Sequence, residues 1–241
     1  MRESLILLPG WGMGPAALQP LALALGEHDL SVELAELPAL TLNDPEAWLD
    51  ELDARLPHDC WFGGWSLGGM LAVALAARRG ARCRGVVTLA SNACCVARED
   101  WPQAMPVETF AAFRDGFARS DIATLKRFTL LCAQGCGDAR GQARQLGQGV
   151  PALDPAQLMA GLDVLAALDN RAALAGFAGP QLHLLAELDA VVPAEAAERL
   201  LALLPAGEVD VIEQTGHAFV LEQPEALAAM IAEFIREAGD V

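Results

Sequence analysis

Most of the chemical information in this chain of 241 residues lies in one short segment, Gly63-Gly64-Trp65-Ser66-Leu67-Gly68-Gly69. Before it runs Asp59-Cys60-Trp61-Phe62, apolar enough for a buried strand. After it, Met70 to Arg79 is an alanine-rich run that reads as helix. Gly64-x-Ser66-x-Gly68 therefore falls at a strand-to-helix corner, the setting of a nucleophilic serine. Such a turn leaves no room for a Cβ on either side of the serine. Its strained backbone lifts Oγ clear of the sheet, and the helix N-terminus favours nearby negative charge. The flanking elements argue against an ordinary glycine-rich helix cap.

A serine nucleophile needs a base and an acid, which follow it in the order Ser, Asp, His in this kind of fold. The four histidines are His28, His58, His183 and His217. The first two precede Ser66 and are disfavoured by chain order. His183 lies inside the apolar run Pro180 to Ala186 and reads as a core or edge residue. His217, in Gln214-Thr215-Gly216-His217-Ala218-Phe219, follows the last apolar run, Val209 to Ile212, and is the expected base. The expected acid is Asp189, in the loop after Leu184-Leu185-Ala186, where it would hold the imidazole tautomer and stabilise the imidazolium. Glu187 is its competitor, but being nearer the strand it suits packing or a rim contact better.

The stretch Ser4 to Leu8 reads as a buried strand entering the glycine-rich loop Pro9-Gly10-Trp11-Gly12-Met13-Gly14. One oxyanion donor is expected from such a loop and the other from the residue after the nucleophile. These donors would be the backbone amides of Trp11 and Leu67. A phosphate cradle is the other reading of a glycine-rich loop, but neither a G-x-x-x-x-G-K-[ST] motif nor the dinucleotide glycine spacing is present. These parts, in this order, imply a serine hydrolase.

The elements that must position them alternate. Strands are predicted at 4–8, 31–37, 59–65, 85–91, 181–187 and 208–213, with helices near 15–26, 44–56, 67–79, 194–204 and 223–238. Between Ala90 and Pro180 the alternation stops, and 106–175 reads as helices broken by Gly135, Gly137, Gly149, Pro151 and Pro155. The expectation is a single α/β-hydrolase domain: a mostly parallel sheet with helices on both faces, core 1–105 and 176–241, and a helical cap at about 106–175.

A 54% hydrophobic content suffices for one large core. The first residues lack a charged leader with a small-residue cleavage site, and no apolar stretch nears the ~18 residues of a membrane span. A cytoplasmic monomer is expected. Cys60, Cys83, Cys94, Cys95, Cys132 and Cys136 read as reduced thiols. Cys132-x3-Cys136 lacks a second pair or a histidine, so no metal is expected. The net charge of −16 argues against nucleic acid and anionic membranes. Against that background, 119–144 has five basic residues (Arg119, Lys126, Arg127, Arg140, Arg144) and two acidic ones. It is either a solvated face or a docking patch for an acidic partner.

Several segments resemble the carboxylesterase family of biotin synthesis that removes the methyl ester from pimeloyl-acyl-carrier-protein. They are Leu7-Leu8-Pro9-Gly10-Trp11-Gly12, where the family has histidine in place of Pro9, the elbow at 64–69, and Thr88 to Cys94 with Ala97 to Pro102. Others are Arg127-Phe128-Thr129-Leu130-Leu131, Gly161 to Leu165, Asp169-Asn170-Arg171, Leu188 to Pro193 and Gly216 to Phe219. The resemblance implies acyl contacts from Trp11, Ser66, Leu67, Phe128, Thr129, Leu130, Leu131, Cys132 and His217. It further implies docking of acyl-carrier protein at Arg127, Arg140 and Arg144, with Lys126 compensating for Ala123 where the family has a fourth arginine. No cofactor is implied. Two alternatives stand beside this one: a general short-chain carboxylesterase or C–C bond hydrolase on a free small molecule, and a catalytically silent binding protein. The intact Ser-Asp-His set disfavours the second.

Overall fold

The runs Cys60–Trp65 and Gln181–Ala186 are buried along their whole length, as strands must be when helices cover both faces of a sheet. The computed structural model describes residues 2–151, 154–204 and 206–239. In chain order the elements are β1 (Ser4–Leu8), α1 (Gln19–Glu27), β2 (Ser31–Leu34), α2 (Pro45–Arg55), β3 (Cys60–Trp65), α3 (Leu67–Arg79) and β4 (Cys83–Leu89). A helical insertion follows: α4 (Val107–Arg119), α5 (Asp121–Ala133), α6 (Ala139–Gln148), α7 (Pro155–Ala167) and α8 (Arg171–Gly176). The chain then completes the sheet with β5 (Gln181–Ala186), α9 (Ala196–Leu203), β6 (Gly207–Ile212), α10 (Phe219–Glu222) and α11 (Pro224–Gly239).

The six strands are all parallel, in the order β2-β1-β3-β4-β5-β6. Consecutive residues of β3 show which helices lie on which face, because neighbouring side chains on a strand point to opposite sides. The Trp61 ring meets Phe234 of α11 edge-on at 5.8 Å, while the Phe62 ring lies under the Arg79 guanidinium at the end of α3. The edge strands β2 and β6 alternate in exposure, and Glu33, Glu208 and Asp210 charge their outer rows, which discourages edge-to-edge pairing. The chain leaves β1 for β2 on one side and returns to β3 on the other. The carboxyl ends of β1 and β3 thus frame a topological switch point, where open α/β sheets place their sites.

The expected elements appear with shifted ends. β2 stops at Leu34 instead of residue 37: Ala35 N still reaches Leu7 O at 3.0 Å, and the chain then leaves the sheet toward Pro38. The helix expected at 15–26 divides into a 3₁₀ turn at Pro15–Leu18 and α1, because Pro20 has no N–H to continue the first turn. β4 starts two residues early, at Cys83, and α9 begins at Ala196 after a turn closed by Ala196 N on Pro193 O. The short helix α10 had no counterpart in the sequence reading. In the insertion the α5–α6 and α6–α7 breaks fall at glycines and prolines that the sequence marks, while those at Ser120 and at 168–170 contain neither, and residues 152–153 lie outside the described segments. All six cysteines are free thiols, and among the described residues no helix is long and apolar enough to cross a membrane.

His183 sits in β5 opposite Thr88 of β4, its Nδ1 2.7 Å from Thr88 Oγ1 and its Nε2 buried without a partner among the described residues. Burial lowers its pKa from 6.5 to about 4. The unfolded chain therefore takes up this proton first, so the stability that neutral His183 contributes is complete above about pH 6.5 and is lost as pH falls toward 4. On the order of 3 kcal/mol is at stake by that linkage. His183→Gln should flatten the fall of the urea midpoint between these pH values. A fall as steep as that of the unaltered protein would assign it to other groups.

Candidate active site

Ser66 leaves β3 with φ 56° and ψ −119°, a conformation rare for a residue with a side chain. Two glycines make the corner possible. A Cβ on Gly64 would overlap the Gly68 backbone, and one on Gly68 would overlap the carbonyls of Leu8 and Pro9. Hydrogen bonds then fix the serine. Ser66 N donates to Leu89 O at 2.8 Å, and Ser66 O accepts from Gly69 N, Met70 N and Ser91 Oγ at 3.0, 3.1 and 2.6 Å. The sequence places Ser91 at the end of the strand expected at 85–91 and in the resembling segment Thr88 to Cys94 but gives it no role; β4 ends at Leu89, which leaves its hydroxyl free to reach Ser66 O.

The loop after β1 lies directly against this corner. Even the Cβ that Gly10 lacks would stand 3.4 Å from Ser66 Cβ. Among the described residues, neither Trp11 N nor Leu67 N is paired with an acceptor. The Trp11 ring is tied to the insertion, its Nε1 donating to Leu158 O at 2.8 Å and its edges meeting Phe113, Phe117 and Phe128 at 5.2–5.5 Å.

Asp189 follows β5 and His217 follows β6. Asp189 Oδ1 accepts from Val191 N and Val192 N at 2.7 and 2.9 Å, and Oδ2 lies 2.7 Å from His217 Nδ1, with both side chains fully buried. That bond places the imidazole proton on Nδ1 and leaves Nε2, which is buried and has no partner among the described residues, as a proton acceptor. The His217 carbonyl accepts from Trp65 Nε1 at 2.9 Å, tying the base loop to the residue before Ser66. Glu187 points elsewhere: its Oε2 accepts from Gln214 N at 2.8 Å, joining the two loops without touching the imidazole. His28 and His58 are exposed and precede β2 and β3, so they lie at the opposite end of the sheet from Ser66.

A cavity opens beside Ser66 with an almost wholly apolar lining. The segment 128–132 divides by helical periodicity. Phe128 and Leu131, three apart, face the cavity. Thr129 and Leu130 face an outer groove, with Leu130 58% exposed. Cys132 is fully buried and outside the lining, its thiol pushed well up by burial and by the Asp189 carboxylate. Of the acyl contacts expected in this segment, Thr129, Leu130 and Cys132 thus stand outside this cavity's lining, whereas Phe110 and Phe113 of α4, Leu162 and Leu165 of α7, and Met70, not singled out in the sequence, belong to it. The Phe110-x-x-Phe113-x-x-x-Phe117 spacing was the signal available for α4.

The model of the "Alpha/beta hydrolase family" matches residues 5–230. The chain belongs to the alpha/beta hydrolase family. It is 36% identical to a pimeloyl-[acyl-carrier protein] methyl ester esterase from Aromatoleum aromaticum over 98% of this chain and 99% of that protein. It is 41% identical to the biotin biosynthesis bifunctional protein BioHC of Cellvibrio japonicus over 97% of this chain, spanning 47% of that longer protein. Among solved structures, a bromoperoxidase from Bacillus anthracis superposes with a TM-score of 0.86 at 18% identity, covering 98% and 92% of the two chains. That likeness concerns the fold alone.

In this alpha/beta hydrolase the outer groove runs between α5 and α6. Lys126, Arg140 and Arg144 line it together with Ile122, Leu125 and Leu130. Arg127 is exposed on α5 but lies outside that lining. Among the described residues none of these four cations is paired with a carboxylate, and no cluster of His, Cys, Asp and Glu is gathered as metal ligands.

The packing at Gly68 yields a sharp expectation. Gly68→Ala should force α3 away from the β1 loop, costing about 1–3 kcal/mol and displacing Ser66. Urea denaturation and ester turnover should fall together. A stable, fully active variant would show that the corner is not constrained there.

Proposed function

We propose that this protein is a serine carboxylesterase that hydrolyses the methyl ester of pimeloyl-acyl-carrier-protein in biotin synthesis. The observation that supports the chemistry is the buried Asp189–His217 pair, with an imidazole nitrogen left unpartnered among the described residues, on a loop that Trp65 Nε1 ties to the residue before the strained serine. The substrate comes from the relatives' names, at 36% identity over nearly the whole of both chains.

In this mechanism His217 Nε2 takes the proton of Ser66 Oγ as the oxygen attacks the ester carbonyl. The Trp11 and Leu67 amides stabilise the oxyanion. His217 returns the proton to departing methanol, and a water deprotonated by the same nitrogen hydrolyses the acyl-enzyme. Asp189 stays ionised throughout and holds the ring. No cofactor takes part. Helices of 106–175 act as a cap on the core 1–105 and 176–241, and Phe110, Phe113, Phe128 and Leu131 enclose the acyl chain. The chain works as a cytoplasmic monomer. Lys126, Arg140 and Arg144 form the docking groove for the acidic carrier protein, with Arg127 at its margin. Their lack of carboxylate partners supports this reading over a solvated face.

Ser66→Ala should remove turnover of the carrier-bound methyl ester, the triad acting as a unit worth roughly 10⁶-fold in related chemistry. Asp189→Asn should lower kcat by on the order of 10⁴-fold through the wrong tautomer, whereas Glu187→Gln should change it little; the reverse ranking would move the acid to Glu187. Charge reversal at Lys126, Arg140 and Arg144 should raise KM for the carrier-bound ester, most at low salt, while turnover of p-nitrophenyl acetate stays unchanged. Equal losses on both substrates would instead indicate a damaged cap. Rescue of a biotin auxotroph lacking the methyl esterase separates this function from that of a general esterase.

A further inference from the structure

The turn after α5 is joined to the acid and base loops more closely than a cover over a cavity requires. Cys132 O, at the end of α5, accepts from Ala218 N, the residue after His217, at 2.9 Å. Gly135 has φ +89°, and a Cβ there would stand 2.5 Å from Leu188 O, next to Asp189. A Cβ on Gly216, next to His217, would collide with the Gln134 carbonyl. The turn is thus wedged between the neighbour of the acid and the neighbour of the base.

Glu222 closes this arrangement. It ends α10, five residues after His217 in the sequence, and its Oε1 accepts from Gly137 N at 2.5 Å. Its Oε2 is buried and has no partner, and among the described residues no arginine or lysine pairs with the carboxylate. The adjacent Cys136 thiol is pushed up to about 11, by burial first and with the charge and hydrogen-bonding of Glu222 contributing, so it stays neutral beside the carboxylate and offers it no more than a weak donor. A half-buried carboxylate without a cation is destabilising. Packing alone gives no reason for a glutamate here.

We propose that Glu222 is a positioning residue: it clasps the α5–α6 turn onto the His217 loop and so holds His217 and Asp189 in register with Ser66. The inference rests on the proposed roles of those three residues. It also gives the insertion a second task. The helix that encloses the acyl chain through Phe128 and Leu131 is the one whose end braces the base loop, so the cap and the triad are one mechanical unit.

Two conservative variants separate reach from charge. Glu222→Gln keeps an acceptor at the same distance without the charge, while Glu222→Asp keeps the charge and withdraws it by one methylene. Each is assayed for kcat, KM and the pH profile on a p-nitrophenyl ester, together with the low-field His217 N–H proton resonance. Glu222→Gln should match the unaltered enzyme. Glu222→Asp should lose on the order of 10- to 100-fold in kcat with little change in KM. Its acid limb of kcat/KM should move to lower pH, because a loosened Asp189 stabilises the imidazolium less. The low-field resonance should broaden. An aspartate variant with unaltered rate and limb overturns the proposal, as do equal losses in both variants with an unmoved limb. If Glu222→Asp does not fold, Gly137→Ala takes its place, since its Cβ would press on Glu222 Oε1 from 3.2 Å. The same direction of change is expected there, and no change refutes the clasp. Ser66→Ala in the same assay separates the two failures: if it stays active, the triad reading falls; if it is dead while Glu222→Asp behaves as the unaltered enzyme, only the clasp falls.

Discussion

Ser66 keeps a left-handed backbone, at a strain of about 1–3 kcal/mol, only because its surroundings leave it no alternative. The end of β3 and the start of α3 approach so closely that Gly64 and Gly68 touch backbone to backbone, and the Leu8 and Pro9 carbonyls press on Gly68 from the other side. One close approach thereby sets three things at once. It turns the serine out of the sheet, frees Leu67 N at the start of the helix, and draws the β1 loop with Trp11 N to the same spot. The β3–β4 register completes the frame, since Trp65 pairs with Leu89 and Leu89 O receives Ser66 N. A slip of one residue between these strands would remove that bond and aim Oγ into the core.

The two buried histidines differ in what faces them. His183 faces only a hydroxyl, and its burial keeps it neutral over the physiological range. His217 faces a carboxylate whose other oxygen is held by two backbone amides. Those amides satisfy the buried charge of Asp189 and fix its orientation, so the carboxylate has one oxygen left to give the ring. The difference comes from the loop after β5, where Asp189 turns back onto Val191 N and Val192 N.

What was readable in the sequence follows from how local each determinant is. The elbow, the loop after β1 and the order of acid and base depend on a few consecutive residues and on strand ends, so Ser66 could be placed at a strand-to-helix corner and Asp189 and His217 in the loops after β5 and β6 from sequence alone. The preference for Asp189 over Glu187 also rests on loop position; Asp189 Oδ2 meets the His217 ring, while Glu187 Oε2 accepts from Gln214 N. The cavity was much less legible, because its wall is assembled from α4, α5 and α7 and from the start of α3, segments nearly a hundred residues apart in the chain. Within 128–132 a helix presents residues three or four apart to one side, so Thr129 and Leu130 turn away from the surface of Phe128 and Leu131, whereas Cys132, four after Phe128, is fully buried outside the lining with its carbonyl receiving Ala218 N. Ser91 and Glu222 act through single backbone groups, Ser66 O and Gly137 N, and no spacing rule announces such contacts.

Charge is distributed with the same division of labour. Several arginines are consumed in holding elements together: Arg114 forks onto Asp163 and pins α4 to α7 over the cavity, and Arg171 binds both Asp100 and Asp169. Lys126, Arg140 and Arg144 are not engaged in this way. In a chain of net charge −16, most faces repel an acidic carrier protein, and screening limits the reach of each charge to about 8 Å at physiological salt. Under the proposed function, an approach that brings the carrier over the α5–α6 groove meets attraction from three cations at once. The repulsive remainder of the surface would then orient the encounter as much as the groove does, because discrimination depends on the difference between faces. Selection of the carrier would thus take place outside the cavity, by charge, and selection of the acyl chain inside it, by apolar contact, with α5 contributing one side to each.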